Sequence, residues 1–341
     1  MGELLKALFV VVISIGALLA FLGFLYWLTS LLPKSWQESS KSMVFLLPAM
    51  VAALVGLLLP AVFTIYKGFF DDQGDDFVGF DNYVDIFTTN GTRLTVLNSA
   101  VWVIAGTTVT LIVALAVARY ADGMRGERVF KAAIFIPGAV SLVGAGLIWT
   151  FVYAGPPFDN GLLNAIGGSI PGLPDSWGGS GEKLWYIDRG FGGADPPDWA
   201  PGFNTFLLIV IFIWAQAGFA MVVFSAAIKG VPDSLIEAAK VDGATNNQVF
   251  YRVTLPYIRA TIVTVATTTT IAGLKAFDIV AATTGGRFAT STVANEFYVT
   301  RFVQNRNGLG SALAVLIFVM VIPVVVLNRR AQKRAEEMMG A

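Results

Sequence analysis

About seven stretches of the chain stay apolar long enough to cross a bilayer: residues 4–32, 43–69, 94–118, 129–153, 203–228, 258–283 and 309–327. A helix needs about 20 apolar residues to span a hydrocarbon core about 30 Å thick. The pattern therefore predicts an all-α integral membrane protein with about seven transmembrane helices. The first stretch carries a single charge, Lys6, and no small-residue cleavage site follows it. It is about twice as long as the apolar core of a secretory signal, so it is expected to be a retained span.

The polar stretches between the spans alternate in charge. "PKSWQESSK", "RYADGMRGERVFK", residues 229–259 and the tail "NRRAQKRAEE" together hold 14 of the 23 Lys and Arg. "DDQGDDFVGFDNYVD" and residues 155–202 are acidic. Basic loops face the cytoplasm, which puts the N-terminus outside and the C-terminus in the cytoplasm. The external loop 155–202 is rich in Gly, Pro and Asp and too polar to span. Its Trp177, Trp185, Tyr186 and Trp199 have two readings: stacking on a sugar, or packing at the headgroup level and in the loop's own core.

The cytoplasmic segment 229–258 holds two helix signals. Pro232 suits a first helical position; Leu235, Ala238, Ala239 and Asp242 follow at helical spacing, and Gly243 is a C-terminal stop. Thr245 with Gln248 three residues later is a capping-box pattern for a second helix carrying Val249, Phe250 and Val253, which Pro256 should limit. The two alanines leave one face of the first helix low, fit for close approach by another protein, with Glu237 and Lys240 at the rim. An ordinary amphipathic loop, with Glu237 and Lys240 as an exposed pair, is the competing reading.

Composition narrows the chemistry. Apolar residues make up 55% of the 341 and charged ones 13%, with net charge zero, and the mean hydropathy is +0.69. No polyanionic partner such as nucleic acid is implied. The absence of Cys and His removes disulfides, thiolate metal sites and the commonest general base. No GxxxxGK[ST] phosphate loop occurs, so ATP chemistry is not expected of this chain itself.

Polar residues inside spans are candidates for a solute path. Gln216 and Phe219 lie mid-span in the fifth stretch, and Thr267–Thr270, with Thr269 and Thr270 foremost, in the sixth. An amide and hydroxyls can bond sugar hydroxyls, and a phenyl ring can stack on a pyranose face. Threonines bonded to their own helix carbonyls are the alternative. Lys275 and Asp278, three residues apart, are expected to form a structural pair on one helix face near the outer interface rather than a proton relay.

Glu237, Ala238, Ala239, then Gly243, then Val253, Thr254, Leu255 and Pro256 resemble the EAA signature of the membrane subunits of binding-protein-dependent ABC importers. Val253 stands where that family usually has Ile. "VPDSLIEAAKVDGA", "GFDNYVDIF", "FIPGAVSLVGAGLIWTFVY" with "NGLLNAIG", and "LKAFDIVAATTGG" are similar to the maltose-type carbohydrate-uptake group. "FDIVAATTGGRFATSTVANEFY" is closest to its alpha-glucoside branch, with Arg287 where many members have Pro. The resemblance implies a six-helix importer permease domain over 43–327, preceded by an extra helix and linker (1–42) and followed by a cytoplasmic tail (328–341). It further implies a bacterial or archaeal inner-membrane permease for sugars such as maltose or trehalose, in which Glu237, Ala238, Ala239, Gly243, Leu255 and Pro256 couple it to an ATPase. The chain would bind no cofactor, ATP and Mg sitting on that partner. Its partners would be a second permease subunit in a heterodimer, two ATPase subunits, an external solute-binding protein, a sugar and the lipid bilayer.

Three alternatives stay open. One is a permease for another solute, such as glycerol phosphate or an oligosaccharide; another is an ion-coupled secondary transporter, for which the docking hairpin would have no use. The third is an intramembrane carboxylate enzyme, against which the acidic residues cluster in external loops.

Overall fold

A computed structural model describes residues 2–30, 46–155, 161–190 and 196–339. They fall into two units, Met1–Tyr66 and Lys67–Ala341. The first unit contains α1 (Gly2–Ser30), a 29-residue helix over most of the predicted first span, and nearly all of α2 (Leu46–Lys67). Residues 31–32 and 43–45 of the predicted spans lie outside the described residues.

The second unit is helical, with one isolated bridge, Phe70 to Phe77, among its described residues. Its helices are α3 (Asp81–Thr88), α4 (Asn90–Ala121, with a π turn at Trp102–Gly106), α5 (Glu127–Ala139), α6 (Leu142–Val152), α7 (Leu162–Gly168), α8 (Phe203–Lys229) and α9 (Asp233–Val241). There follow α10, which runs over 246–257, then α11 (Arg259–Leu274), α12 (Asp278–Thr283), α13 (Val293–Tyr298) and α14 (Asn307–Met339). Among the helices whose side chains are described throughout the apolar stretch, four can cross a membrane: Leu46–Lys67, Asn90–Ala121, Phe203–Lys229 and Asn307–Lys333. Helices α5 and α6, bent by 105°, make a fifth if taken as one span.

Two predicted spans are broken. Residues 129–153 do not form one helix: Pro137 and Gly138 end α5 in a 3₁₀ turn, and the Ser141 hydroxyl then caps α6 by accepting the Gly144 N–H at 3.1 Å. Residues 258–283 divide at Lys275–Phe277 into α11 and α12. There the Ala276 carbonyl accepts a hydrogen bond from the Thr292 hydroxyl at 2.6 Å, a distant partner in place of a helical one.

Two prolines inside helices, Pro60 and Pro256, follow π turns. One turn, Leu54–Leu58, stands directly before Leu59 and Pro60, and another, Phe250–Thr254, before Leu255 and Pro256. In each the following leucine N–H bonds five residues back, to Leu54 and to Phe250 respectively. Widening the turn accommodates the proline ring and its missing donor. The second helix of the hairpin runs one residue past Pro256, to Tyr257, and breaks at Ile258 before α11 begins, as the limit expected at Pro256 requires.

The core is organised around α8, whose apolar window is 56% buried against 28% for those of α4 and α14. Near its start, Leu208 and Phe212 pack with Trp102, Tyr153, Trp185 and Val280. Further along, Ala220, Met221 and Phe224 pack with Ala114 and Ala118 of α4 and Val265 of α11. Small residues set these distances, as is usual where helices meet in lipid. A Cβ on Gly218 would lie 2.4 Å from the Ile134 carbonyl oxygen, so only glycine lets α8 touch the backbone of α5. A third cluster joins Ile86, Val293, Leu309 and Leu313.

Candidate functional site

The hairpin of α9 and α10 follows α8 directly and is built from local signals. Pro232 is the N-cap of α9 and Asp233 its first residue, one position later than the sequence favoured. At the other end Gly243 has φ +82°, its N–H bonds the Lys240 carbonyl at 3.0 Å, and the Ala244 N–H bonds the Ala239 carbonyl at 2.9 Å. That pair of bonds is a Schellman closure, which requires the left-handed conformation glycine adopts without strain. The capping box is also present: Thr245 Oγ1 accepts the Gln248 N–H at 3.3 Å, and Gln248 Oε1 accepts the Thr245 N–H at 2.7 Å.

The outer surface of this hairpin is open. Glu237, Ala238, Gly243 and Pro256 are exposed, while Ala239 and Leu255 are half-buried. Leu235 is 44% exposed and Val241 88%. Its inner side is anchored, by residues that sequence reasoning passed over. The Arg119 guanidinium at the end of α4 bonds Asn247 Oδ1 and stands 4.1 Å from the centre of the Phe250 ring. Where α8 leads into the hairpin, Lys229 pairs with Glu127 at 2.6 Å. Glu127 also holds Lys131 at 2.7 Å; Lys131 in turn pairs with Asp122 and bonds Ser225 Oγ at 2.6 Å. Glu127 and Lys131 are an i,i+4 pair on α5, but Asn247, Phe250, Ser225 and Lys229 reach their partners from other helices and show no sequence spacing, though the basic run 119–131 was a signal that the region bears charge.

The mid-span candidates separate into two places. Gln216 and Phe219 line a common cavity of about 360 Å³ at the bend between α5 and α6, with Gly138, Ser141 and Leu142. Gln216 lies about 18 Å along α8 from Asn204 and about 20 Å from Lys229, close to the middle of the helix. Thr269 and Thr270 do not line this cavity. Thr270 Oγ1 lies 3.3 Å from Thr107 Oγ1 of α4, and Thr269 is buried in α11. Thr267 and Thr268 bond the carbonyls four residues back, at 2.8 and 3.0 Å.

Lys275 and Asp278 do not share a helix face. Lys275 closes α11, Asp278 opens α12, and no ion pair joins them. In the loop, Trp185 is buried with its indole N–H on Asn164 Oδ1 at 2.8 Å, and Tyr186 meets Tyr153 edge-on at 5.3 Å. Both pack into the helical core at the start of α8 rather than a core of the loop's own, whereas Trp199 is 55% exposed.

Residues 184–337 match the family described as binding-protein-dependent transport system inner membrane component. The chain is 37% identical to the osmoprotective compounds uptake permease protein GgtC of Synechocystis sp. over 298 residues, 86% of this chain and all of that one. It is 35% identical to the alpha-glucoside transport system permease protein AglF of Rhizobium meliloti over 301 residues, 87% of this chain and 84% of that one. Its fold is like that of a chain in the crystal structure of a bacterial ABC transporter involved in the import of the acidic polysaccharide alginate. That match has a TM-score of 0.66 at 19% identity and covers 88% of this chain and 98% of the other.

Proposed function

The chain belongs to the family of binding-protein-dependent transport system inner membrane components, and on that premise we propose that it is the membrane-spanning permease subunit of an ATP-driven sugar importer. The sugars are alpha-glucosides such as maltose or trehalose, a reading supported by the relatives named for alpha-glucosides and for osmoprotective compounds. The chain sits in a prokaryotic inner membrane with the α9–α10 hairpin and its C-terminus in the cytoplasm. It works beside a second, similar permease and receives solute from an external binding protein. Two ATPase subunits carry the ATP and Mg²⁺.

The observation that carries this reading is the hairpin itself. It is closed at Gly243, capped at Thr245, and presents Glu237, Ala238, Leu235 and Val241 outward on a short, rigid helix. In the proposed cycle α9 sits in a cleft of the ATPase and moves when ATP closes the ATPase pair. Arg119 and the Lys229–Glu127 pair pass that motion to α4, α5 and α8. The bend between α5 and α6, with Gln216 and Phe219 beside it, then changes the side from which the mid-helix cavity is open. Broken helices lining a cavity near the middle of the membrane are a common device for such switching.

Gly243→Asp tests the assignment. The variant is expected to reach the membrane and assemble, yet to hydrolyse ATP without sugar uptake. Unchanged coupled uptake would overturn the coupling role.

A further inference from the structure

A second cavity, of about 760 Å³, shares no lining residue with the one at Gln216. Its walls are the end of α6, the loop at 184–187 and the segment 281–288. It lies at the start of α8, because the Asn204 amide bonds the carbonyls of both Tyr186 (3.0 Å) and Phe288 (2.8 Å). The α9–α10 hairpin hangs from the other end of that helix, about 40 Å away.

The segment beside this cavity is held in an unfavourable backbone conformation. Phe288 and Ala289 have φ of +57° and +62°, next to Gly285 at +63° and Gly286 at +81°. A bulky residue with positive φ is a steric outlier that persists only where its surroundings over-determine it, and such strain gathers at ligand clamps. Here the surroundings are strong. The buried Asn98 amide bonds the Ala289 and Ser291 carbonyls, both at 2.8 Å, and the Thr284 and Thr290 hydroxyls lie 2.6 Å apart. What this costly segment presents to the cavity is Arg287 and Phe288. Both are exposed, and among the described residues the Arg287 guanidinium has neither a hydrogen bond nor an ion pair.

The lining identifies a ligand class. Exposed aromatic rings at Phe151 and Phe288 offer apolar faces, Thr150 offers a hydroxyl, and Arg287 offers several donors. No lining residue is a carboxylate, which disfavours a cation, and a single guanidinium is too little for a polyanion. A neutral polyhydroxylated ring satisfies all of these groups, and the volume falls within the usual range for a small-molecule site. We propose that this cavity is a glycoside-binding subsite at the outer mouth of the permease, occupied before the solute reaches the mid-helix cavity, with Arg287 and Phe288 as its contacts. The proposal rests on the sugar-importer reading for the identity of the solute.

The chain contains no cysteine, so Ile187→Cys, at an exposed lining position, supplies its one thiol. In the full complex, with any partner cysteines replaced and no binding protein added, the rate of maleimide labelling is measured against three alpha-glucosides, maltose, trehalose and sucrose. At least one sugar is expected to slow labelling along a saturable curve, about elevenfold at ten times its half-saturating concentration. Adding Arg287→Ala or Phe288→Gly, the latter keeping the positive φ accessible, should abolish the protection, measured in each variant against its own sugar-free labelling rate. No protection by any of the three sugars, or protection indifferent to both substitutions, overturns the subsite. Protection by the binding protein without sugar also overturns it, marking a protein-docking surface instead. Sugar-stimulated ATP hydrolysis, measured in the same complex with binding protein, reports separately on the importer reading, so failure of one is distinguishable from failure of the other.

Discussion

At Gly243 the backbone and the surrounding space give separate constraints. The φ of +82° penalises an ordinary side chain, but nothing lies within 4 Å of a Cβ built there. Within this chain Gly243→Asn should cost only a few tenths of a kcal/mol, because Asn tolerates the left-handed region, while Gly243→Val should cost about 1–2 kcal/mol. Thermal unfolding of the complex measures both. The same openness means that a loss of coupling in Gly243→Asp would arise at the docked partner rather than from a clash inside the permease. Asn98 is the opposite case, being fully buried and bonded to two carbonyls of the strained segment. Asn98→Ala leaves those carbonyls unpaired and should cost about 1–3 kcal/mol per group left without a partner, read as a lowered melting temperature. In the loop between α6 and α8, burial pushes the Asp188 carboxyl up, but the Lys183 ammonium and the Gly190 N–H outweigh it and hold the group below its ordinary 3.8. A depressed carboxyl contributes stability that is full above its unfolded value and is lost as pH falls through the folded one. Protection of this loop from an acid-tolerant protease should therefore hold down to pH 3.8 and weaken below it, and Asp188→Asn should remove that acid-dependent step.

At the scale of elements, local signals and distant ones differ in how well the sequence displays them. The C-terminal stop at Gly243 and the capping box of Thr245 and Gln248 are legible because their partners lie within five residues. The breaks at Ala139–Leu142 and Lys275–Phe277 carry signals as well, Pro137, Gly138 and Ser141 at the first and the charges of Lys275 and Asp278 at the second, but the long apolar windows around them outweigh those signals. The second break depends on Thr292, sixteen residues away from the carbonyl that it binds. Pro256 is legible as the limit of its helix, which ends one residue later, but the π turn that fits the proline is not. Gln216 and Phe219 share one cavity as their spacing on one helix allows, while Thr269 and Thr270 face other helices. Arg119 is invisible as an anchor until α4 and α10 are brought together. Arg119→Ala should free the α10 end of the hairpin and reduce sugar-stimulated ATP hydrolysis while leaving basal hydrolysis in place. Arg119→Lys should restore little of it, since an ammonium lacks the planar fork that both bonds Asn247 and stacks on Phe250. A Cβ at Gly218 would lie 2.7 Å from Phe135 Cα as well as against the Ile134 oxygen, and backbone atoms cannot yield cheaply. Gly218→Ala should therefore lower the melting temperature by an amount corresponding to about 1–3 kcal/mol.

Across the whole molecule, α8 links the features that the account requires. Its first residues fix the strained segment beside the outer cavity, its middle carries Gln216 and Phe219, and its last residue pairs with Glu127 at the root of the hairpin. One continuous 27-residue helix thus joins all three. ATP hydrolysis in proteoliposomes containing this chain with its partner permease and ATPase tests the central claim most directly. It is measured with and without the binding protein and a panel of alpha-glucosides. The account predicts stimulation by one sugar-loaded binding protein and loss of that stimulation in Gly243→Asp. A complex with which no ATPase co-purifies, or one whose hydrolysis responds to sugar equally in both forms, would contradict it.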